Sequence, residues 1–345
     1  VFASITGLPD IEDVKTASRN PMIIDQRIIF DQFKGYEKSY FLGGSANWAN
    51  IRGVFQSNIK ELKIYEEGSF EEENRADVWG IDDYDLFKEA DKKLKKLHEK
   101  GKPFVTYIQT ATNHMPFTVP TKKESFTPIL ENEIDEKTIL NGGFRSLNQL
   151  NGLRYLDFNV ARFLDRTKES GYYDNSIFVF FGDHSINLKG IKGLNNNEVN
   201  LGIQLNHTPC FIHAPKYTKT QIVDKYAKLI DIFPTAASIA KIDYTNYTLG
   251  RDLLDSTAAN TAAFIYTQNK GEGAVGLIQD EYYYEKTNRS KKAALYSLNN
   301  NSYRDIKSNK MDVTEKMDSL LSAYYYTTKY LYFNNKKQPK PNIKY

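Results

Sequence analysis

Between residues 82 and 182 the apolar positions change period three times, and that alternation constrains the fold more than any other feature of the chain. Residues 82–100 place Leu86, Ala90, Leu94 and Leu97 at helical spacing, with Asp82 or Asp83 to cap the start and Gly101 to end it. Pro103 then precedes an apolar run of strand length, 104–110. A second helix is predicted over 146–170, its apolar face marked by Leu147, Leu150, Leu153, Val160 and Leu164 and its end by Gly171. The run 176–181 is continuously apolar and reads as a fully buried strand. Strands alternating with amphipathic helices predict an α/β fold, a central, mostly parallel sheet flanked by helices.

A shorter strand, 209–212, follows, then helices near 220–229 and 232–240. Beyond residue 255 the character changes. The runs 261–267, 275–279, 282–286 and 293–298 are short and separated by turn signals, which predicts a small antiparallel extension, and a helix over 313–333 closes the chain. The expected division is therefore 1–255 for the main domain and 256–345 for strands and a helix packed on it. A length of 345 residues is enough for one large core. No apolar run approaches the roughly 18 residues that span a bilayer. Val1 opens the chain without Met or a basic segment, so no signal peptide is visible. A formal net charge of +3 gives no electrostatic case for nucleic acid, which is not expected as a partner. The one cysteine, Cys210, excludes a disulfide framework and a Cys-rich zinc site, and its apolar surroundings predict a small buried hydrophobe.

Sites in open α/β sheets form at the carboxyl ends of strands. Two strands here run into ligand-like residues. The strand 176–181 ends in Gly182-Asp183-His184-Ser185, which puts a hard oxygen and an imidazole at one point, a pair suited to Zn²⁺ or Mn²⁺. Gly182 permits a tight turn there. The plainer alternative is that Asp183 caps a turn and His184 lies on the surface. The strand 104–110 runs into Thr112-Asn113-His114, where a histidine can bind a phosphate oxygen or protonate a leaving group, or merely close a turn. His207, just before Thr208-Pro209, either faces the same cleft or is a satisfied core histidine. His213, at the far end of its strand, reads as structural, and His98 as solvated on a lysine-rich helix face.

Phe178-Val179-Phe180-Phe181-Gly182-Asp183-His184 resembles the metal-binding strand of the sulfatase-like branch of the alkaline phosphatase superfamily. Thr110-Ala111-Thr112-Asn113-His114-Met115-Pro116-Phe117 resembles the Asn-His-x-Pro-Phe segment of lipoteichoic acid synthases and related phosphoglycerol transferases. Phe41-Leu42-Gly43-Gly44 through Trp48-Ala49-Asn50 resembles their substrate-pocket loop with its buried Trp. Asp231-Ile232-Phe233-Pro234-Thr235 and Leu249-Gly250-Arg251-Asp252-Leu253-Leu254 resemble two further family segments, in the family's order.

The resemblance implies an alkaline phosphatase-like sheet and transfer or hydrolysis through a covalent phospho-enzyme. It implies one divalent metal, Mn²⁺ or Zn²⁺, with Mg²⁺ or Ca²⁺ as alternatives, held by Asp183 and His184. His114 is the implied substrate-binding and catalytic histidine, His207 a second one, and Trp48, Asn50 and Arg52 line the implied head-group pocket. The substrate expected is a phospholipid such as phosphatidylglycerol, or a phosphorylated glycan, handled on the extracytoplasmic face of the cell membrane by a tethered protein. Two departures stand out. Residues 1–9 resemble the helix and turn after the family's nucleophile, which places that threonine, and an acidic metal ligand, before Val1. Ser4 and Thr6 fall downstream of it and are not substitutes, so residues 1–345 alone are expected to be inactive. Asn50 and Ser45 or Gly44 also stand near positions where lipoteichoic acid synthases carry a basic residue and a histidine, with Arg52 two residues late. A sulfatase, a phosphodiesterase of the same superfamily, and a non-catalytic envelope binding module are the alternatives.

Overall fold

The computed structural model describes residues 1–11, 17–71, 75–186, 196–257, 262–269, 272–299 and 302–337. The elements of the first half are α1 (Phe2–Thr6), β1 (Glu37–Leu42), α2 (Ile51–Asn58), β2 (Lys63–Tyr65), β3 (Arg75–Asp77), β4 (Gly80–Ile81), α3 (Asp83–Glu99), β5 (Phe104–Gln109), α4 (Glu136–Asn141) and α5 (Leu147–Glu169). The second half holds β6 (Phe178–Phe181), α6 (Asn196–Asn200), β7 (Cys210–His213), α7 (Ile232–Ile239), β8 (Ala263–Asn269), β9 (Glu272–Gln279), β10 (Tyr282–Thr287), β11 (Ala293–Ser297) and α8 (Met311–Asn334).

The fold is α/β, built around a parallel sheet in the order β2-β1-β5. β1 pairs with β5 over its whole length, Glu37 opposite Phe104 through Leu42 opposite Gln109. Successive β1 side chains point to opposite faces. Tyr40 stacks on Phe55 of α2 at 4.1 Å, while Phe41 stacks on Tyr65 at 4.6 Å and joins Leu86 and Ala90 of α3. Both faces are thus buried, as a parallel sheet requires. The one polar residue deep in β1, Ser39, shares a hydrogen bond of 2.8 Å with Thr106 across the ladder.

Local chemistry explains the helix ends. The Asp82 carboxylate accepts the Asp85 N–H at the head of α3, and Ser146 accepts the Gln149 N–H at the head of α5. Gly101, at φ 64°, lets the chain leave α3. The two later family-like segments form one interlocked unit: buried Asp231 accepts the N–H groups of Arg251 and Lys228, and Thr235 accepts that of Leu253. Beyond them, β8 to β11 make a four-stranded antiparallel sheet, packed through Leu277 and Tyr284 against Met317 and Leu321 of α8. Leu8, Ile11 and Ile23 from the chain's start share that core, and the Tyr332 hydroxyl donates to the Pro9 carbonyl at 2.7 Å.

Three expectations need correction. No helix forms near 220–229; that stretch is loop, with the Tyr226 carbonyl taken by Arg251 and the Asp255 carbonyl by Lys225, so tertiary contacts override helical spacing. Cys210 is exposed and not a buried hydrophobe. The strand ending at Phe181 is half-buried throughout and not fully buried. Its physical reason is pairing on one edge: β6 bonds antiparallel to β7 and, among the described residues, to no other strand. Its side chains reach the main sheet where Phe181 meets Tyr107 of β5, and pack on α5 where Phe178 meets Phe163. Among the described residues no helix is long and apolar enough to cross a membrane.

One-sided pairing has a measurable consequence. Backbone amides of β6 are expected to exchange with deuterium faster than those of β1, which is paired on both sides. Equal protection of the two strands would show that β6 has a second bonded edge in solution.

Candidate active site

Strand ends position two groups of side chains. The first gathers at the end of β6. Gly182 sits there because a Cβ would lie 3.0 Å from that of Thr208, and its N–H donates to the Pro209 carbonyl at 3.1 Å. Next to it, Asp183 and His184 lie side by side, Nε2 to Oδ1 3.9 Å, with both side chains more than half exposed. The Asp183 carboxylate accepts the His184 N–H, and His184 Nδ1 lies 3.0 Å from the Ser185 carbonyl. The β6–β7 register, continued past Phe181 opposite Cys210, brings His184 across from His207. A bond from Ser185 N–H to the Leu205 carbonyl at 2.9 Å closes the two loops together. His207 is exposed.

α1 reaches the end of β6 through Tyr107, whose ring lies 5.9 Å from that of Phe181 and whose hydroxyl meets Ser4 of α1. Burial pushes Tyr107 up to about 12, so it stays a neutral donor, 3.2 Å from Ser4 Oγ. Neither early hydroxyl is free to attack. Ser4 donates to the Val1 carbonyl and Thr6 to that of Phe2, and both are buried within α1.

The second group owes its existence to the β1–β5 register. Leu42 opposite Gln109 makes the loop after β1 and the loop after β5 neighbours at one end of the sheet. The first carries Trp48, the second His114. Between them stands Trp79, which spacing and motif did not single out. Its ring lies 5.6 Å from that of Trp48 and 4.4 Å from that of His114, both edge-on, and its Nε1 donates to the Met115 carbonyl at 2.8 Å. Three glycines allow this. A Cβ on Gly44 would lie 2.5 Å from the Trp79 carbonyl oxygen, and one on Gly43 2.6 Å from that of Ile81; one on Gly80, at φ 97°, would overlap the Gly43 carbonyl. Trp48 is 58% exposed, and so is not the buried Trp its family resemblance implies; its ring packs edge-on against Trp79.

Asn50 and Arg52 are engaged inward. Asn50, at φ 58°, donates to the Ser18 carbonyl, and Arg52 pairs with Glu66 and bonds Asn47. Glu66 in turn accepts the Ala46 N–H, so these residues shape the loop beneath Trp48. His213 meets the Tyr173 hydroxyl, a structural contact. No hydrogen bond, ion pair or ring contact among the described residues links the Asp183–His184 group to the Trp48–Trp79–His114 group. Nor do the described residues contain three or more His, Cys, Asp or Glu side chains placed to hold a metal together.

Comparison with known proteins places this geometry. A family model described as Sulfatase matches residues 1–242. Lipoteichoic acid synthase 1 of Bacillus subtilis (strain 168) is 27% identical over 275 residues, covering 76% of this chain and 40% of that protein. The lipoteichoic acid synthase of Staphylococcus saprophyticus is 29% identical over 245 residues, covering 68% and 35%. The chain therefore spans two-fifths or less of the length of these relatives. Among solved structures, a protein in the alkaline phosphatase superfamily from Vibrio parahaemolyticus superposes with a TM-score of 0.77 at 23% identity, covering 98% of this chain and 76% of that one. The lipoteichoic acid synthase LtaP from Listeria monocytogenes gives 0.70 at 18%, covering 95% and 79%. At these identities the superpositions establish the fold.

The glycine packing can be tested. Gly80→Ala forces a side chain into a left-handed backbone against another backbone, and is expected to cost about 2–4 kcal/mol in chemical denaturation. It should also change the fluorescence of Trp48 and Trp79, the only two tryptophans in these 345 residues. A neutral substitution would mean that the two loops do not meet as described.

Proposed function

The chain belongs to the sulfatase family within the alkaline phosphatase superfamily and is homologous to lipoteichoic acid synthases; from that premise we propose that it transfers a phosphoglycerol-type head group from a phospholipid through a covalent phospho-threonine intermediate. The observation that carries the reading is the pairing of Asp183 with His184 at the end of β6.

A carboxylate and an imidazole 3.9 Å apart, neither tied to a Lys or Arg side chain among the described residues, fit one divalent cation as two of its ligands. Mn²⁺ or Zn²⁺ suits this donor set, with Mg²⁺ or Ca²⁺ as alternatives. Once bound, such an ion supplies Lewis acidity at the phosphoryl oxygens and lowers the pKa of the attacking hydroxyl. The resemblance assigns that hydroxyl to a threonine ahead of residues 1–9. Its oxygen bonds to phosphorus while the bond to the diacylglycerol oxygen breaks, and diacylglycerol leaves as the protonated alcohol. An acceptor hydroxyl then takes the phosphoglycerol unit and releases the threonine.

His114 holds the phosphate or passes a proton to the leaving oxygen, with His207 as the second histidine. Trp48 and Trp79 wall the head group, and Asn50 and Arg52 act by shaping the loop below. The donor is a phospholipid, or alternatively a phosphorylated glycan, met on the extracytoplasmic face of the membrane by a tethered protein. Hydrolysis of a phosphate or sulfate ester would use the same residues with water as acceptor, a reading that the sulfatase family model favours.

Three substitutions in the full-length protein separate these roles. Asp183→Asn and His184→Ala should lower bound metal and abolish release of diacylglycerol from phosphatidylglycerol. His114→Ala should leave metal content unchanged and reduce turnover by about a hundredfold or more. Metal loss in His114→Ala would make that residue a ligand, and normal metal content in both of the other variants would falsify the proposed site.

A further inference from the structure

The two acids that open α3 do different work. Asp82 caps its own helix. Asp83, only 1% exposed, turns its carboxylate to another element: Oδ1 accepts the Ala111 N–H at 2.8 Å, and both oxygens lie 3.2 Å from the Thr112 nitrogen. Thr112 reciprocates, its Oγ1 accepting the Asp83 N–H at 3.0 Å. The first turn of α3 is thereby fastened to the two residues just before Asn113 and His114. The far side of that turn is fastened by Trp79, through its bond to the Met115 carbonyl and its contact with the His114 ring. Both fastenings come from the single segment 79–83.

The other acids around the head of α3 are neutralised by cations. Lys123 reaches Asp85 at 2.9 Å and Asp82 at 3.5 Å, and Lys92 reaches Glu89 at 2.6 Å. Asp83 has no ion pair among the described residues; its partners are backbone N–H groups. A carboxylate suits this place because it accepts several N–H groups and offers none of its own. An amide there would set its own NH₂ against the donors of Ala111 or Thr112 and leave a buried group unpaired.

We propose that Asp83 is the positioning residue of the His114 loop: it holds the Ala111–Thr112 backbone so that His114 is presented against Trp79. The inference rests on reading His114 as a substrate-facing residue, and its test needs no turnover. In the full-length protein labelled with ¹⁵N-tryptophan, the Trp79 indole N–H signal is assigned by its loss in Trp79→Phe. In Asp83→Asn that signal should leave its wild-type position and exchange with solvent about tenfold faster, as loss of its bond to the Met115 carbonyl implies. Asp91→Asn removes another part-buried carboxylate of α3, bound to Ser170 and Tyr172, and should leave the signal in place. If Asp83→Asn does not fold, Thr112→Val removes the reciprocal bond alone and should move the same signal. An unmoved Trp79 signal in a folded Asp83→Asn or Thr112→Val protein overturns the proposal, and so does an equal change in Asp91→Asn. If His114→Ala keeps full activity while the indole result stands, the proposed function fails and the positioning does not.

Discussion

The parallel pairing of β1 with β5 is the constraint on which the site depends. Because the strands run the same way and end in register, the loops that leave them emerge together. One loop carries Trp48 and the other His114. The sheet is buried on both faces, so its strand ends cannot drift, and a pocket built there inherits that rigidity. Trp79 enters from a third segment. It is admitted only because Gly43, Gly44 and Gly80 let backbone lie directly on backbone. These glycines act by lacking a side chain, which is why the sequence shows Gly43 and Gly44 only as part of a family-like segment and does not point to the tryptophan they position.

What was legible in the sequence follows the same logic. The helices α3 and α5 and the strands β8 to β11 announce themselves by periodicity and turn residues, and each appears within a few residues of its expected place. The central strand β1 was not read as a strand, although it pairs on both edges. Glu37-Lys38-Ser39 precedes its apolar residues, and Ser39 is buried only through a partner, Thr106, that lies far along the chain. The strand before Asp183 was read as a strand but too deeply buried, since burial depends on a second bonded edge that composition cannot reveal. The helix expected near residue 225 failed because Arg251 takes a carbonyl there.

The chemistry-bearing residues were legible to different degrees for a physical reason. Asp183, His184 and His114 stand at strand ends, where polar side chains after apolar runs are conspicuous. The resemblance sets Asn50 and Arg52 near the basic residue that follows the family's Trp, yet their side chains turn to Ser18 and Glu66. Asp83 was recognised only as a possible helix cap. Its neighbour does the capping, and the partners of its carboxylate lie 28 and 29 residues away.

Energetics point to the same corner of the molecule. Burial pushes the Asp83 carboxyl up to about 6, against an ordinary value of 3.8. A carboxyl whose folded value is raised contributes stability below about pH 4 and loses it as pH rises to about 6. At neutral pH the ionised group therefore costs the fold about 3 kcal/mol relative to its protonated form. Ala49 and Asn50 add backbone at φ 47° and 58° in the loop after β1, and Gly80 adds φ 97° beside Trp79. For non-glycine residues such conformations cost about 1–2 kcal/mol each. A buried carboxylate and two left-handed residues thus lie in the segments that hold Trp48, Trp79 and His114. Such conformations persist only where the surrounding packing over-determines them, and here that packing is the backbone-on-backbone contact of Gly43, Gly44 and Gly80 beneath the rings.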